Sequence, residues 1–373
     1  MPVPLLDLNR QNAALHADLT AAFERVLRSG HFILGAEVEQ FERDAAQFLG
    51  AKHAISISSG TDAILVALMA LEIGPGDEVI CPSFTFFATA GCIARVGATP
   101  VFADVLPDSF NIDTADVARR ITSRTKAIIP VHLFGQSADM EPLLALAQQH
   151  KLAVIEDAAQ SLGARHRGRA SGTLGDFGTY SFFPSKNLGG FGDGGLVATN
   201  RDDLAEKIRL LRTHGAKPKY YHRRVGGNFR LDALQCALLR AKLPHLPAYC
   251  AARQRNAAFY TANLNGLPGV ILPITAPHND HIWNQYTLRV TGAGRREALR
   301  QHLTAQGIGH EIYYPLPLHR QECFAQLPKV SLPVSEQLAG EVVSVPIFPE
   351  LTETEKQAVV TALRSFAAAP LRT

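Results

Sequence analysis

Ala153-Val154-Ile155-Glu156-Asp157-Ala158-Ala159-Gln160-Ser161 is a short apolar run that ends in two acids followed by small residues. Its first three residues are all apolar rather than alternating with polar ones, as in a strand covered by helices on both faces. Ala127-Ile128-Ile129 reads the same way. Working outward, β-branched runs recur at Ala54 to Ser58, Glu78 to Cys81, Pro100 to Asp104, Ala127 to Val131, Tyr180 to Phe183 and Leu196 to Thr199. Longer amphipathic runs separate most of them, at Thr61 to Leu71, Thr85 to Val96, Thr114 to Ile121, Met140 to His150 and Asp202 to Thr213. The alternation predicts a three-layer α/β/α domain around a mainly parallel seven-stranded sheet.

An amphipathic helix carrying Leu231, Leu234, Leu238 and Leu239 then meets a Pro-punctuated stretch, Pro244 to Pro247. The domain change is placed there. Residues 1–243 are read as a large ligand-binding domain and 244–373 as a smaller C-terminal α/β domain. The second part holds a strand at Tyr286 to Val290, a helix from Arg296 to Gln306 and a Pro-rich loop from Tyr314 to His319. Its closing helix opens on Thr352 with Glu355 three residues on, the pattern of a capping box.

Of 373 residues 46% are hydrophobic and 19% charged, enough for a large core, which excludes a disordered chain. Lys and Arg (37) barely exceed Asp and Glu (34), for a net charge of +3. So weak a field predicts neither a nucleic acid nor a membrane as partner. Five widely spaced cysteines without a CxxC pair read as reduced thiols, and the N-terminus lacks the pattern of a signal peptide. A soluble, cytoplasmic protein is expected. No metal is expected either, because the 14 histidines form no HExxH or paired Cys/His spacing.

In such sheets ligands bind beyond the carboxyl ends of the strands. Four segments fall there. Ser58-Ser59-Gly60-Thr61-Asp62 joins a strand to a helix, where small residues let amides approach an anion; an ordinary N-cap and tight turn explain it equally well. Asp157, at the end of an apolar strand, needs a cationic partner, either a structural Arg or a protonated ligand nitrogen. Lys186 has apolar residues before it and glycines after it, a setting that would lower its pKa and make it a nucleophile toward carbonyl carbon. The run Gly189-Gly190-Phe191-Gly192-Asp193-Gly194-Gly195 lets the backbone wrap close to whatever Lys186 holds. An anion cradle, a buried acid and a nucleophilic lysine match the three needs of pyridoxal 5'-phosphate (PLP): phosphate donors, a carboxylate at the pyridine nitrogen, and an amine for the aldehyde.

With these residues in view the chain resembles the DegT/DnrJ/EryC1/StrS family of nucleotide-sugar aminotransferases, of fold type I among PLP enzymes. The likeness runs through Leu6-Asp7-Leu8, Phe32-Ile33-Leu34-Gly35, Ser59 to Ala63, Glu156 to Gln160, Ser181 to Lys186 and Gly227 to Asp232. It implies that Lys186 bonds the cofactor and shuttles the proton, and that Asp157 partners the pyridine nitrogen. Gln160 would lie near the ring hydroxyl. Gly60, Thr61 and Ser181 would hold the phosphate. Phe86 would lie over the ring; a place in the core of a helix is its other reading. Asn228 would reach the phosphate of a neighbouring subunit, in a homodimer with shared sites.

Phe183-Pro184-Ser185 before the lysine and the double-Pro loop Tyr314 to His319 resemble the group that aminates C3 of the sugar. The resemblance thus implies amino transfer from L-glutamate, leaving 2-oxoglutarate and pyridoxamine phosphate, to a dTDP- or UDP-linked 3-keto sugar for glycan or natural-product biosynthesis. Tyr313 stands where the family usually has histidine. Arg230, Tyr313, Tyr314 and His319 are the candidates for contacts to sugar or donor. The basic stretch Lys217 to Arg224 meets a substrate diphosphate or is a solvated loop. A 4-keto aminotransferase and a non-catalytic regulatory relative are the alternatives; the second would be expected to have lost Lys186 or Asp157.

Overall fold

A computed structural model describes residues 2–368. Seven strands form the main sheet: β1 His53–Ile57, β2 Glu78–Pro82, β3 Thr99–Ala103, β4 Thr125–Ile128, β5 Ala153–Asp157, β6 Phe177–Ser181 and β7 Gly195–Thr199. In space they run β1-β7-β6-β5-β4-β2-β3. All neighbours are parallel except β7, which runs antiparallel to both β1 and β6.

The unbroken apolar character of the strands follows from two helix layers that take alternate residues. Ile55, Val79, Ala127, Ile155 and Val197 pack with helices Gly60–Ala70, Ala88–Arg95 and Asp202–Leu211 on one face. Ala54, Leu196 and Ala198 face helices His16–Ser29, Ala36–Leu49 and Ala233–Lys242, and Ile80, Ile128 and Val154 face Met140–His150. The apolar residues on both faces of the strands therefore meet apolar surface.

Strand β4 ends at Ile128 rather than Val131, and two further elements depart from the sequence expectation. Strand β6 begins at Phe177 rather than Tyr180. Gly178 hides its start, since a Cβ there would collide with the Gly172 backbone, and glycine carries no strand signal. The helix expected from Thr85 begins at Ala88. Ser83 is drawn instead into tertiary bonds, its carbonyl accepting from the Leu318 amide at 2.8 Å, which leaves Ser83 to Phe87 irregular.

A second core gathers Tyr260 and Leu264 of the Leu246–Leu264 helix, Leu299 and Leu303 of the Arg295–Ala305 helix, and Val359 and Leu363 of the closing helix. They lie with a three-stranded antiparallel sheet of Val270–Ile271, Tyr286–Val290 and Val342–Val345. Val3 joins this core from the N-terminus. The capping box is present: the Glu355 amide donates to Thr352 Oγ1 at 3.2 Å, and the Thr352 amide to Glu355 Oε2 at 2.9 Å. Among the described residues no helix is long and apolar enough to cross a membrane.

Candidate active site

The two acids that end β5 have opposite surroundings. Glu156 is fully buried and saturated with donors. Its Oε1 accepts the amides of Leu174 and Gly175, both at 2.6 Å, and Oε2 accepts the Gly172 amide and His132 Nε2, both at 2.8 Å. The Ala138 amide donates to His132 Nδ1 at 3.0 Å, so Nε2 carries the proton. Glu156 is a structural anchor. Replacing it by Ala leaves four buried donors without an acceptor, and the expected loss is about 3 to 5 kcal/mol of stability, read as a lower urea midpoint.

Asp157, only 5% exposed, receives Thr89 Oγ1 at 2.8 Å on one oxygen and the Ala159 amide at 3.2 Å on the other. No arginine or lysine approaches within ion-pair distance among the described residues. Burial pushes its pKa up, and the two hydrogen bonds oppose that rise. The structural-Arg reading is thereby removed, and the carboxylate keeps lone pairs to spare for a cation.

Lys186 follows β6 in a tight turn, its amide donating to the Phe183 carbonyl at 2.8 Å. Burial pushes its amine down to about 8, and the Asp157 charge acts in the opposite direction. The amine and the carboxylate act on each other without bonding, as expected of two groups that hold opposite ends of a third. One consequence is measurable. Only the neutral amine attacks an aldehyde, so the rate at which added PLP bonds the cofactor-free protein should rise with pH to a plateau, with its midpoint near 8. An ordinary solvated lysine would place that midpoint near about 10.4. Stopped-flow absorbance across pH 6 to 11, on the order of ten points, checks it.

The cradle lies beside this pair. Ser59 caps the Gly60–Ala70 helix, taking the Asp62 amide on Oγ at 3.0 Å and the Ala63 amide on its carbonyl at 2.9 Å. Among the described residues no hydrogen bond takes the amides of Gly60 and Thr61. A Cβ on Gly60 would stand 2.7 Å from Ser181 Cβ, so glycine is what lets the Ser181 hydroxyl lie against the helix start. Free amides, a hydroxyl and a helix N-terminus make an anion site.

Gln160 and the aromatic residues complete the floor and one wall. Gln160 Oε1 accepts the Phe134 amide at 2.7 Å, and Nε2 donates to the Tyr314 hydroxyl at 3.1 Å, which fixes the direction of its amide. Tyr314 is tilted against Phe86, with ring centroids 6.3 Å apart. Phe86 lies ahead of its helix and is 57% exposed, so the core-helix reading gives way to a ring with a free face.

The remaining candidates make no hydrogen bond to Lys186, Asp157, Gln160 or Ser181 among the described residues. His319 uses both ring nitrogens, with Ser83 Oγ at 2.6 Å from Nδ1 and Glu336 at 3.1 Å from Nε2, and so fastens the Pro-rich loop to the segment before Phe86. Tyr313 packs edge-on to Tyr314. Asn228 is exposed and bridges Thr213 through its backbone, with no side-chain bond among the described residues. The buried Nε of Arg230 has no partner.

Two contributors escaped the sequence reading. Thr89 serves Asp157 from 68 positions away, and no local pattern ties them. Lys242, buried at the end of the Ala233–Lys242 helix, donates to the Gly189 carbonyl at 2.6 Å and lies 5.7 Å from the Phe191 ring, bracing the turn after Lys186. The apolar flanks Leu238, Leu239 and Leu243 were the signal that would have found it.

Residues 14–364 match the DegT/DnrJ/EryC1/StrS aminotransferase family. The chain belongs to that family. The pleiotropic regulatory protein of Geobacillus stearothermophilus is 50% identical over 98% of this chain and 99% of its own length. The UDP-N-acetyl-3-dehydro-α-D-glucosamine 3-aminotransferase of Acidithiobacillus ferrooxidans is 45% identical over 97% of each chain. The crystal structure of S. venezuelae DesV, in complex with a ketimine intermediate, superposes with a TM-score of 0.96 at 44% identity, over 99% of both chains. DegT/DnrJ/EryC1/StrS aminotransferases are PLP-dependent enzymes, and the donor set here fits PLP: free amides at a helix start, an acid with spare lone pairs, and an amine held near neutral.

Proposed function

We propose that this aminotransferase moves the amino group of L-glutamate to the C3 keto carbon of a nucleotide-linked sugar, giving a 3-amino sugar. The observation that carries the chemistry is the Lys186 amine, lowered to about 8 by burial and acted on by the Asp157 charge without an ion pair between them. The C3 assignment is supported by the relative named as a 3-aminotransferase of a UDP-linked 3-dehydro sugar.

PLP bound here would supply an aldehyde that links to amino groups and a protonated ring that accepts an electron pair. Lys186 would hold the aldehyde until substrate displaces it. The released amine would then take the α-proton from the donor carbon and later deliver one to the sugar carbon. Asp157 would keep a proton at the pyridine nitrogen, at the price of its own burial. The amides of Gly60 and Thr61 and the Ser181 hydroxyl would bind the phosphate. Phe86 would cover one ring face, and Gln160, fixed by Phe134 and Tyr314, would orient the ring hydroxyl. Arg230, Tyr313 and Tyr314 are assigned to sugar or donor. His319 is assigned to positioning the Tyr314 loop, because its nitrogens are taken.

A homodimer is part of this reading: Asn228 and the basic stretch Lys217 to Arg224 are exposed for the most part and would serve the neighbouring subunit's phosphate and the substrate diphosphate. The division into 1–243 and 244–373, with Val3 docked on the second core, and a cytoplasmic setting belong to it as well. The test is a reverse assay, in which 3-amino and 4-amino nucleotide sugars are each incubated with 2-oxoglutarate. Glutamate should form from the 3-amino sugars; formation from 4-amino sugars alone would move the reaction to C4.

A regulatory role is the second reading, favoured by the name of the relative at 50% identity. Against it stand Lys186, Asp157, Gln160 and Ser181, whose functional groups a non-catalytic protein has no need to keep.

A further inference from the structure

A cavity of about 50 Å³ lies between the Lys186 turn, the N-terminal segment and the second core. Its polar wall consists of Ser185, Arg253, Asn284, Gln285, Tyr313 and Ser344. Three of these adjoin residues already placed in the site. Ser185 precedes Lys186, Tyr313 precedes Tyr314, and the Gln285 amide donates at 3.3 Å to the carbonyl of Phe134, whose own amide holds Gln160.

Arg253, from the Leu246–Leu264 helix, is 4% exposed. Its Nη1 donates to the carbonyls of Trp283 and Asn284 at 3.1 and 3.2 Å, and its buried Nε has no partner. No carboxylate lines the cavity, and none pairs with Arg253 among the described residues. The Glu350 charge acts on Arg253 from beyond ion-pair distance, so the buried guanidinium has no direct anionic partner, a costly state that a bound anion would relieve. Other donors are available beside it. The hydroxyls of Ser185 and Tyr313 enter no hydrogen bond among the described residues, and Gln285, whose Oε1 accepts Asn284 Nδ2 at 2.6 Å, keeps its Nε2 free. Asn284 Oδ1 is a buried acceptor without a partner among the described residues.

We propose that this cavity is a carboxylate subsite, in which Arg253 and Gln285 bind a carboxylate of the amino donor while its nitrogen reaches the neighbouring Lys186 position. The small size and the convergent donors suit a carboxylate. This inference rests on the reading of glutamate as donor.

The test is calorimetric titration of the PLP-loaded protein with glutarate, with UDP-glucose and with UDP-glucuronate. Arg253→Met should weaken glutarate binding about 10- to 100-fold, the usual yield of charge-assisted hydrogen bonds. Gln285→Leu, which leaves the contacts of Arg253 to the Trp283 and Asn284 carbonyls in place, should weaken it several-fold. The affinity for UDP-glucose and the cofactor absorbance should not change in either variant. Four outcomes overturn the inference: wild-type protein that does not bind glutarate, unchanged glutarate affinity in both variants, parallel loss of UDP-glucose, or a loss confined to UDP-glucuronate. If glutarate binding falls as expected while no sugar yields glutamate in the reverse assay, the carboxylate subsite stands and the proposed reaction fails.

Discussion

Lys186→Ala is expected to lower transamination on the order of 10⁴-fold or more, because one amine both bonds the cofactor and moves the proton. The fold should survive, since the lysine side chain makes no hydrogen bond among the described residues and its removal relieves an unfavourable burial. Borohydride reduction separates this loss from unfolding. The wild-type protein should become covalently labelled with PLP, and the variant should bind PLP without being labelled. Lys186→Arg should not rescue activity, because arginine stays protonated at any working pH. A Lys186→Ala variant with full activity would remove this lysine from both roles.

Asp157→Asn is expected to cost about 10²- to 10³-fold in turnover, the scale of losing one preorganised electrostatic contact. The swap is nearly isosteric, so Thr89 can still donate to the carbonyl oxygen of the new side-chain amide, while the Ala159 amide loses its acceptor. Stability should change little, because relief of the buried carboxylate is set against the lost Ala159 bond. The pH dependence has a defined sign. Asp157 raises the pKa of Lys186, so without that charge the amine should titrate below its present value of about 8, and the PLP-bonding midpoint should move to lower pH. A variant whose midpoint stays in place would show that the two groups are uncoupled.

Much of this arrangement was legible in the chain. The two helix layers follow from uniformly apolar strands, and the acid, the lysine and the cradle each stand beside a strand end, where a sheet of this kind gathers its ligands. What stayed hidden is tertiary. Nothing at Thr89 predicts Asp157 as its acceptor. Glu156 and Asp157 are adjacent, chemically alike carboxylates, and only the return of the Gly172 to Gly175 backbone shows that the first is spent on structure. His319 resembled a ligand contact because its two partners, Ser83 and Glu336, lie 236 and 17 positions away. Phe86 read as helical because its local propensity is indifferent to the tertiary bonds that hold Ser83 out of the helix.

The reversed direction of β7 bears on how this protein can change its length. Ser181 and Gly195 face each other in the ladder, so the chain that carries Lys186 leaves the sheet and re-enters it at one rung. Gly195 also faces Ile57, the last residue of the strand that leads to the cradle. The lysine therefore rides on a tether clamped at both ends against the anion site, with Lys242 holding its middle. Surface loops absorb insertions at little entropic cost. This one should not, since an added residue moves the amine without moving the phosphate donors. Random insertions along the chain should leave the span from Ser181 to Gly195 as an unbroken gap among active variants, whereas the exposed Lys217 to Arg224 stretch should accept them wherever folding alone is selected.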